Sequence, residues 1–389
     1  MTAQPTSSFF PSSVGGGAAE GAGPSRSAPA SGLSRHSTFS LHPSAFLAHT
    51  THPGAVRRTV QTVEYEDLLG LWGDLETALA MLLAHPAQVR DFSAKVRQLD
   101  MWLQELVAHD VDAALYLMFQ LAATSSTGYS ASHALVCATL CHLMALELAL
   151  PGHERNALVR AALTMNIAMA ALQDELAEQR EKPTPAQQRD IDSHPLRSQA
   201  LLEQLQVIDD LWLDTVALHH GAEATAERST LALAGMAAPT RLARILATID
   251  RYAAMISPRR SRPGRSATAS VRAVVGQVAQ ERDEVGFALV RSIGLCPPGT
   301  FVRLDNGDTA IVLRRSKQAN LPLVASLLDR TGAFLGEPRL HHTARGKPLI
   351  ESALARSQVQ TGLNHRTMVR LGLYAAGRST PLVSHRGGL

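Results

Sequence analysis

The sequence predicts a mainly α-helical protein: a large helical bundle with an N-terminal helical extension and a small C-terminal β-hairpin element. Three observations carry this expectation. Ala and Leu dominate a chain of 389 residues that is 45% hydrophobic but only 4% aromatic. Such residues lose little rotamer freedom in a helix and lack the branching that strands favour. Apolar residues recur at spacings of three and four through most of the chain, and the period switches to simple alternation after CPPGT at 296–300.

Residues 1–58 are rich in Ser, Gly, Ala and Pro, with Glu20 as their one acid. They lack the apolar periodicity needed to offset chain entropy and are expected to form a disordered tail. The N-terminal helical region, 59–124, opens near Glu64, where Leu68, Leu69, Trp72, Leu75, Leu79 and Leu82 share one face. After Pro86 the same spacing continues through Val89, Phe92, Val96, Leu99, Leu103 and Leu106, and a further helix is expected over 111–123. The turn TSSTGYS then opens a helical domain over 125–295, beginning with a long apolar helix from Ser130 to Leu150 that Pro151 and Gly152 end. Helices are expected over 154–180, 185–205, 209–220, 230–256 and 270–293, with Pro or polar breaks between them. FVRL and TAIVLRR alternate as strands around Asn306 and Gly307, a pair suited to the positive φ of a tight hairpin. This small β-element covers 296–335, with PLVASLL from Pro322 as a further candidate strand. The rest, 336–389, is a basic extension without clear pattern, and Trp72, Trp102 and Trp212 are expected in the core.

A net charge of +3 is close to neutral for this size and gives no general surface for duplex nucleic acid. Three cysteines, Cys137, Cys141 and Cys296, do not make a disulfide framework. The N-terminus lacks the pattern of a signal peptide, and no run of about 18 uncharged apolar residues is apparent. The expectation is therefore a cytoplasmic protein without a membrane partner.

The residues that carry chemistry are His133, His194, the pair His219 and His220, and Asp250, because imidazole and carboxylate are the usual ligands of divalent iron, manganese or zinc. Sixteen histidines are present, so incidental histidines are the alternative to a metal site. Adjacent His219 and His220 would point about 100° apart on a regular helix and converge only near a helix end. His133, Cys137 and Cys141 share a face at steps of four, which a core helix explains more simply than thiolate ligation. Arg259, Arg260 and Arg262 are candidates to clamp a phosphate-bearing ligand, with a solvated loop as the alternative.

Five segments, in order, resemble landmarks of the HD-GYP phosphohydrolase family: YSASHALVCATLCHLMALEL (129–148), SHPLRSQALLEQL (193–205), ALHH (217–220), RLARILATIDRYAAMISPRR (241–260) and the CPPGTFVRLDNGDTAIVLRR hairpin. The resemblance spans roughly residues 125–330 and implies an HD-domain-like helical bundle. It implies that His133, His194, His219, His220 and Asp250 occupy metal-ligand positions, and that Arg260 or Arg262 matches a later arginine. The family binds two or three metal ions, commonly iron, and hydrolyses cyclic di-GMP, the cations activating a bridging water and neutralising charge on the phosphate. Both signature motifs are altered here. Where the family resembles LLHDIGK this chain reads LTMNIAM, so Met165 and Asn166 replace the His-Asp pair and Met169 the lysine. The Gly-Tyr-Pro loop after the histidine pair is absent, Gly221 and the polar segment 222–229 standing there instead. A thioether and a neutral amide are poor ligands for a hard dication. With these departures the resemblance implies a signalling protein with a degenerate phosphohydrolase domain, binding cyclic di-GMP or another nucleotide without turnover, with one divalent iron or manganese ion and no catalytic residues. A protein partner such as a GGDEF-type domain is implied with it. The alternatives are an active cyclic di-GMP phosphodiesterase with an atypical site and a purely structural helical interaction module.

Overall fold

The computed structural model describes residues 57–124, 127–221, 232–275, 283–359 and 361–379. The tail expected over 1–58 lies outside the described residues up to residue 56. Helix α1, Arg57–Ala84, buries Leu68, Trp72, Leu75, Leu79 and Leu82 along one stripe. Helix α2, Phe92–His109, returns with Phe92, Val96, Leu99, Leu103 and Leu106 turned inward. Asp110 caps α3, Val111–Thr124, its Oδ1 accepting from the amides of Asp112 and Ala113 at 2.9 and 3.0 Å.

Helix α4, Tyr129–Glu147, buries every side chain from Ser130 to Ala145. A helix apolar all round belongs in the middle of a bundle. Here α4 packs against α1, α3 and the helices that come after it. Contrary to the expectation of no such run, α4 is long and apolar enough to cross a membrane, and nearly all of it is buried inside the bundle. Ala149 takes φ 51° and Pro151 stops the helix.

The helix expected over 154–180 is broken. Helix α5, Gly152–Thr164, ends at Met165, a single 3-10 turn covers Ile167–Met169, and α6 runs Ala170–Glu178. Helix α7, Pro185–Gln204, opens with a capping box between Thr184 and Gln187 and carries Pro195 inside it. Helix α8 spans Asp210–Leu218. Helix α9 spans only Ala238–Ile256 of the helix expected from 230, and Arg241 ties it to Glu154 of α5 at 2.6 Å. The helix expected over 270–293 appears as α10, Ala267–Val275, and α11, Glu284–Ile293, with 276–282 outside the described residues.

The hairpin is part of a larger antiparallel sheet. Strands β1 (Phe301–Leu304), β2 (Thr309–Arg314), β3 (Leu323–Leu328), β4 (Phe334–His342) and β5 (Ile350–Leu354) lie in the order β4-β3-β2-β1-β5. The boundary expected at 335 falls inside β4, and helix α12, His365–Ser379, lies where the sequence shows no clear pattern. Strand β4 shows little alternation because most of it is only half buried or exposed. At the β1–β2 turn only Gly307 has positive φ, 88°. The turn is one residue longer than the expected Asn-Gly turn, closed by Leu304 and Asp308, with Gly307 supplying the left-handed residue. The sheet docks on α3 through Gly299, where a Cβ would stand 2.6 Å from the Tyr116 carbonyl oxygen, and through Gln120, which donates to the Gly299 carbonyl at 2.6 Å. Arg314 and Arg315 of the β2 end pair with Asp110 and Asp112 at 2.7 and 2.6 Å.

Candidate metal centre

The five expected ligand residues come from four helices and converge. His133 stands on α4, His194 on α7, His219 and His220 at the end of α8, and Asp250 on α9. His133 Nε2 donates to Asp250 Oδ1 at 2.7 Å, and Asp250 Oδ2 lies 3.8 Å from His220 Nε2. The rings of His194, His219 and His220 stand 4.3 to 5.1 Å apart. Their ligand atoms all lie within 4.8 Å of one another.

Local backbone chemistry aims two of these rings. Pro195 has no N–H, so the carbonyl of Ile191 one turn back lacks its helical donor. That carbonyl accepts instead from His194 Nδ1 at 2.5 Å. Helix α8 ends at Leu218, leaving last-turn carbonyls without a following turn. The Val216 carbonyl accepts from His219 Nδ1 at 2.6 Å. A carbonyl only accepts, so both rings carry their proton on Nδ1 and present a lone pair at Nε2. Burial drives the His219 imidazole down to about 3, with His220 adding to the effect, and burial likewise lowers His194. Both are therefore neutral near pH 7. Their Nε2 atoms nevertheless face each other at 3.2 Å, deep in the bundle. Two lone pairs at that distance repel unless a cation lies between them. Ligands about 2.1 Å from one ion at an angle between 90° and 109° stand about 3.0 to 3.4 Å apart, so the observed spacing fits a shared divalent ion.

Among the described residues, Asp250 is the one carboxylate in the convergent groups. Burial works to raise it, but the hydrogen bond from His133 and the facing imidazoles of His133 and His220 outweigh burial and hold it well below the usual carboxylate range. Beside it stand two residues the sequence did not assign to the site. Tyr129 stacks on the His133 ring at 5.5 Å, and Cys137 Sγ lies 3.6 Å from His133 Nε2. Cys137, His133 and Asp250 form a second convergent group. The shared helix face of His133 and Cys137 is the sequence signal for it, and core packing is the simpler explanation at that level. Burial and the charge of Asp250 push the Cys137 thiol well above its usual range.

The three arginines diverge. Arg259 donates to Tyr129 Oη at 3.0 Å and lies over its ring, next to the centre. Arg262 donates to the Ala254 carbonyl, whereas Arg260 turns outward toward Glu178 at 3.7 Å. Met165 is buried and Asn166 half-buried at the break after α5. This segment is tied to the two helices that carry the three-histidine cluster: Trp212 of α8 donates to Thr164 Oγ1 at 2.8 Å, and the Ala168 amide donates to Ser198 of α7 at 3.2 Å. A cavity of about 690 Å³ adjoins it, lined among others by Thr77 and Met81 of α1, Met169, Asp174, Asp190 and Arg197. None of the five ligand residues lines that cavity.

Residues 115–284 match the family of the HD domain. A cyclic di-GMP phosphodiesterase of Pseudomonas aeruginosa is 26% identical over 191 residues, covering 49% of this chain and 46% of that protein. The chain thus matches about half the length of this curated relative. No solved structure matches it.

Proposed function

We propose that the HD domain of this chain binds one divalent transition ion, iron or manganese, and a cyclic di-GMP-like nucleotide, and acts as a cytoplasmic signalling receptor without turnover. The observation that carries the metal reading is the facing pair of neutral imidazole lone pairs on His194 and His219, with His220 and Asp250 beside them. His194, His219, His220 and Asp250 would hold such an ion, which would supply Lewis acidity toward a phosphate group. His194 and His219 are held in register by their Nδ1–H bonds to Ile191 and Val216. Arg259, fixed on Tyr129, places a guanidinium beside the centre for phosphate charge. The cavity between α1 and the turn at 167–169 has the volume of a small-molecule site and gives the nucleotide a second surface. Binding without turnover rests on Met165 and Asn166, which supply neither imidazole nor carboxylate. Cytoplasmic action accords with three free thiols, and a GGDEF-type domain is the protein partner to test by co-purification.

One observation favours a second reading, hydrolysis at an atypical site: Asp250 touches both His133 and His220, so a carboxylate does stand between two ligand groups. Metal analysis of purified protein dialysed with manganese, together with a cyclic di-GMP binding titration and product analysis, separates the two. About one manganese per chain, nucleotide binding and no product are expected. Turnover near about 1 per second that His219→Ala abolishes would establish the hydrolase instead.

A further inference from the structure

We propose that Cys137 is a metal ligand, forming with His133 Nε2 and Asp250 Oδ1 a second position beside the three-histidine cluster that takes a thiophilic divalent ion such as zinc or cobalt. This second position rests on the metal-binding reading above and shares its Asp250.

His133 and Cys137 lie four residues apart on α4, so their side chains project side by side. Both are almost fully buried, at 2% and 0% exposure. For a tetrahedral ion bound at about 2.05 Å to nitrogen and about 2.3 Å to sulfur, the nitrogen–sulfur edge is about 3.6 Å. The observed separation is 3.6 Å. The same geometry asks the His133–Asp250 pair to open from 2.7 Å to about 3.4 Å, a movement within reach of two side chains.

Asp250 is oriented to serve both groups at once. Its Oδ1 faces His133 and its Oδ2 faces His220. A carboxylate so placed bridges two ions, one on the three histidines and one on His133 and Cys137. Among the described residues His133 Nδ1 is buried without a partner, so the ring's contact is made through Nε2.

Ligand chemistry decides which ion goes where. Three imidazoles and a carboxylate accept manganese, iron or zinc, whereas a thiolate selects zinc or cobalt over manganese. Filling the position releases the thiol proton to solvent and moves the His133 Nε2 proton to Nδ1, leaving a neutral imidazole with its Nε2 lone pair on the ion. Met165 and Asn166 stand where the resembled family has a ligand pair, and Cys137 replaces that lost donor capacity from a different helix. Cys141, one turn further along α4, lies outside the convergent group.

Cobalt titration of the chelator-stripped full chain tests this by spectrum rather than by activity. The expected result is about two cobalt ions per chain and a near-ultraviolet sulfur-to-cobalt charge-transfer band, against about one equivalent for manganese. Cys137→Ser should remove the band and one equivalent while keeping the other. Cys141→Ser should change neither. His219→Ala should keep the band and lose the other ion. Cobalt bound without the band, or a band that survives in Cys137→Ser, would overturn the Cys137 site and leave the three-histidine site standing. Absence of any bound cobalt would overturn both.

Discussion

His142, on α4 facing away from the metal centre, shows how a single buried imidazole links stability to pH. It is 5% exposed, and burial, then the charge of Arg155, drives it down to about 4. In the unfolded chain the same ring titrates near about 6.5. It is neutral when folded and gains a proton more readily when unfolded, so its contribution is complete above about 6.5 and is lost as pH falls toward 4. His219 acts in the same sense, with its lower limit near 3. Unfolding free energy should therefore fall between pH 7 and pH 4.5, and His142→Gln should remove about 2 kcal/mol of that fall. Urea unfolding at the two pH values measures it, and an unchanged difference in the variant would rule the assignment out. At this scale the five residues that converge were legible as candidates, because residue type and order along the chain are sequence properties. Cys137 was not assigned, because what makes it a ligand candidate is Asp250, which only the packing of α9 on α4 brings near.

Helix α7 couples a local irregularity to the site. Pro195 in its interior frees the Ile191 carbonyl, and His194 uses it. Pro195→Ala would restore an N–H that competes for that carbonyl. The helix should gain up to about 3 kcal/mol in stability. Metal affinity should fall about 10- to 100-fold, as when an outer partner of a ligating histidine is lost. Stability and manganese affinity moving in opposite directions is the signature to measure, and a variant that binds manganese as well as the parent would assign Pro195 to the backbone alone. The sheet depends on a comparable joint. Asp112 is buried between Arg315 at 2.6 Å and Arg314 at 3.3 Å. Asp112→Ala should cost about 3 kcal/mol by leaving a partly buried guanidinium without its partner. Urea unfolding of that variant should show it, and a loss below about 0.5 kcal/mol would class the pair with ordinary surface ion pairs. Element boundaries were less legible than the elements. Nothing in LTMNIAM marks a helix end by composition, so α5 and α6 read as one helix. Strand β4 escaped detection because an edge strand that is largely exposed keeps little alternation.

The bundle as a whole decides whether the altered signature is a loss or a rearrangement. The segment 164–168 is held against α7 and α8 by Ser198 and Trp212. The double substitution Met165→His with Asn166→Asp should therefore raise manganese stoichiometry above about one per chain, with hydrolysis returning only in part. An unpaired buried aspartate costs several kcal/mol or takes up a proton. A variant that folds yet gains no manganese would show that these two positions do not reach the centre. The general architecture was legible from the apolar period alone, since it needs only amphipathic stripes to pack. The cavity beside α1 was not, because it is made by the spacing of several elements rather than by any one of them.

The convergence of His133 and Asp250 also has a meaning in time. Their helices stand near opposite ends of the domain in sequence, and contacts that close such long loops come late, after the loop entropy has been met by packing elsewhere. While the chain is being synthesised, α4 emerges long before α9, and the histidines have no carboxylate to meet until the last long helix of the bundle docks. On the proposed reading, an ion that needs groups from both helices would bind only once α9 has docked on α4, and would act as a seal on the finished bundle.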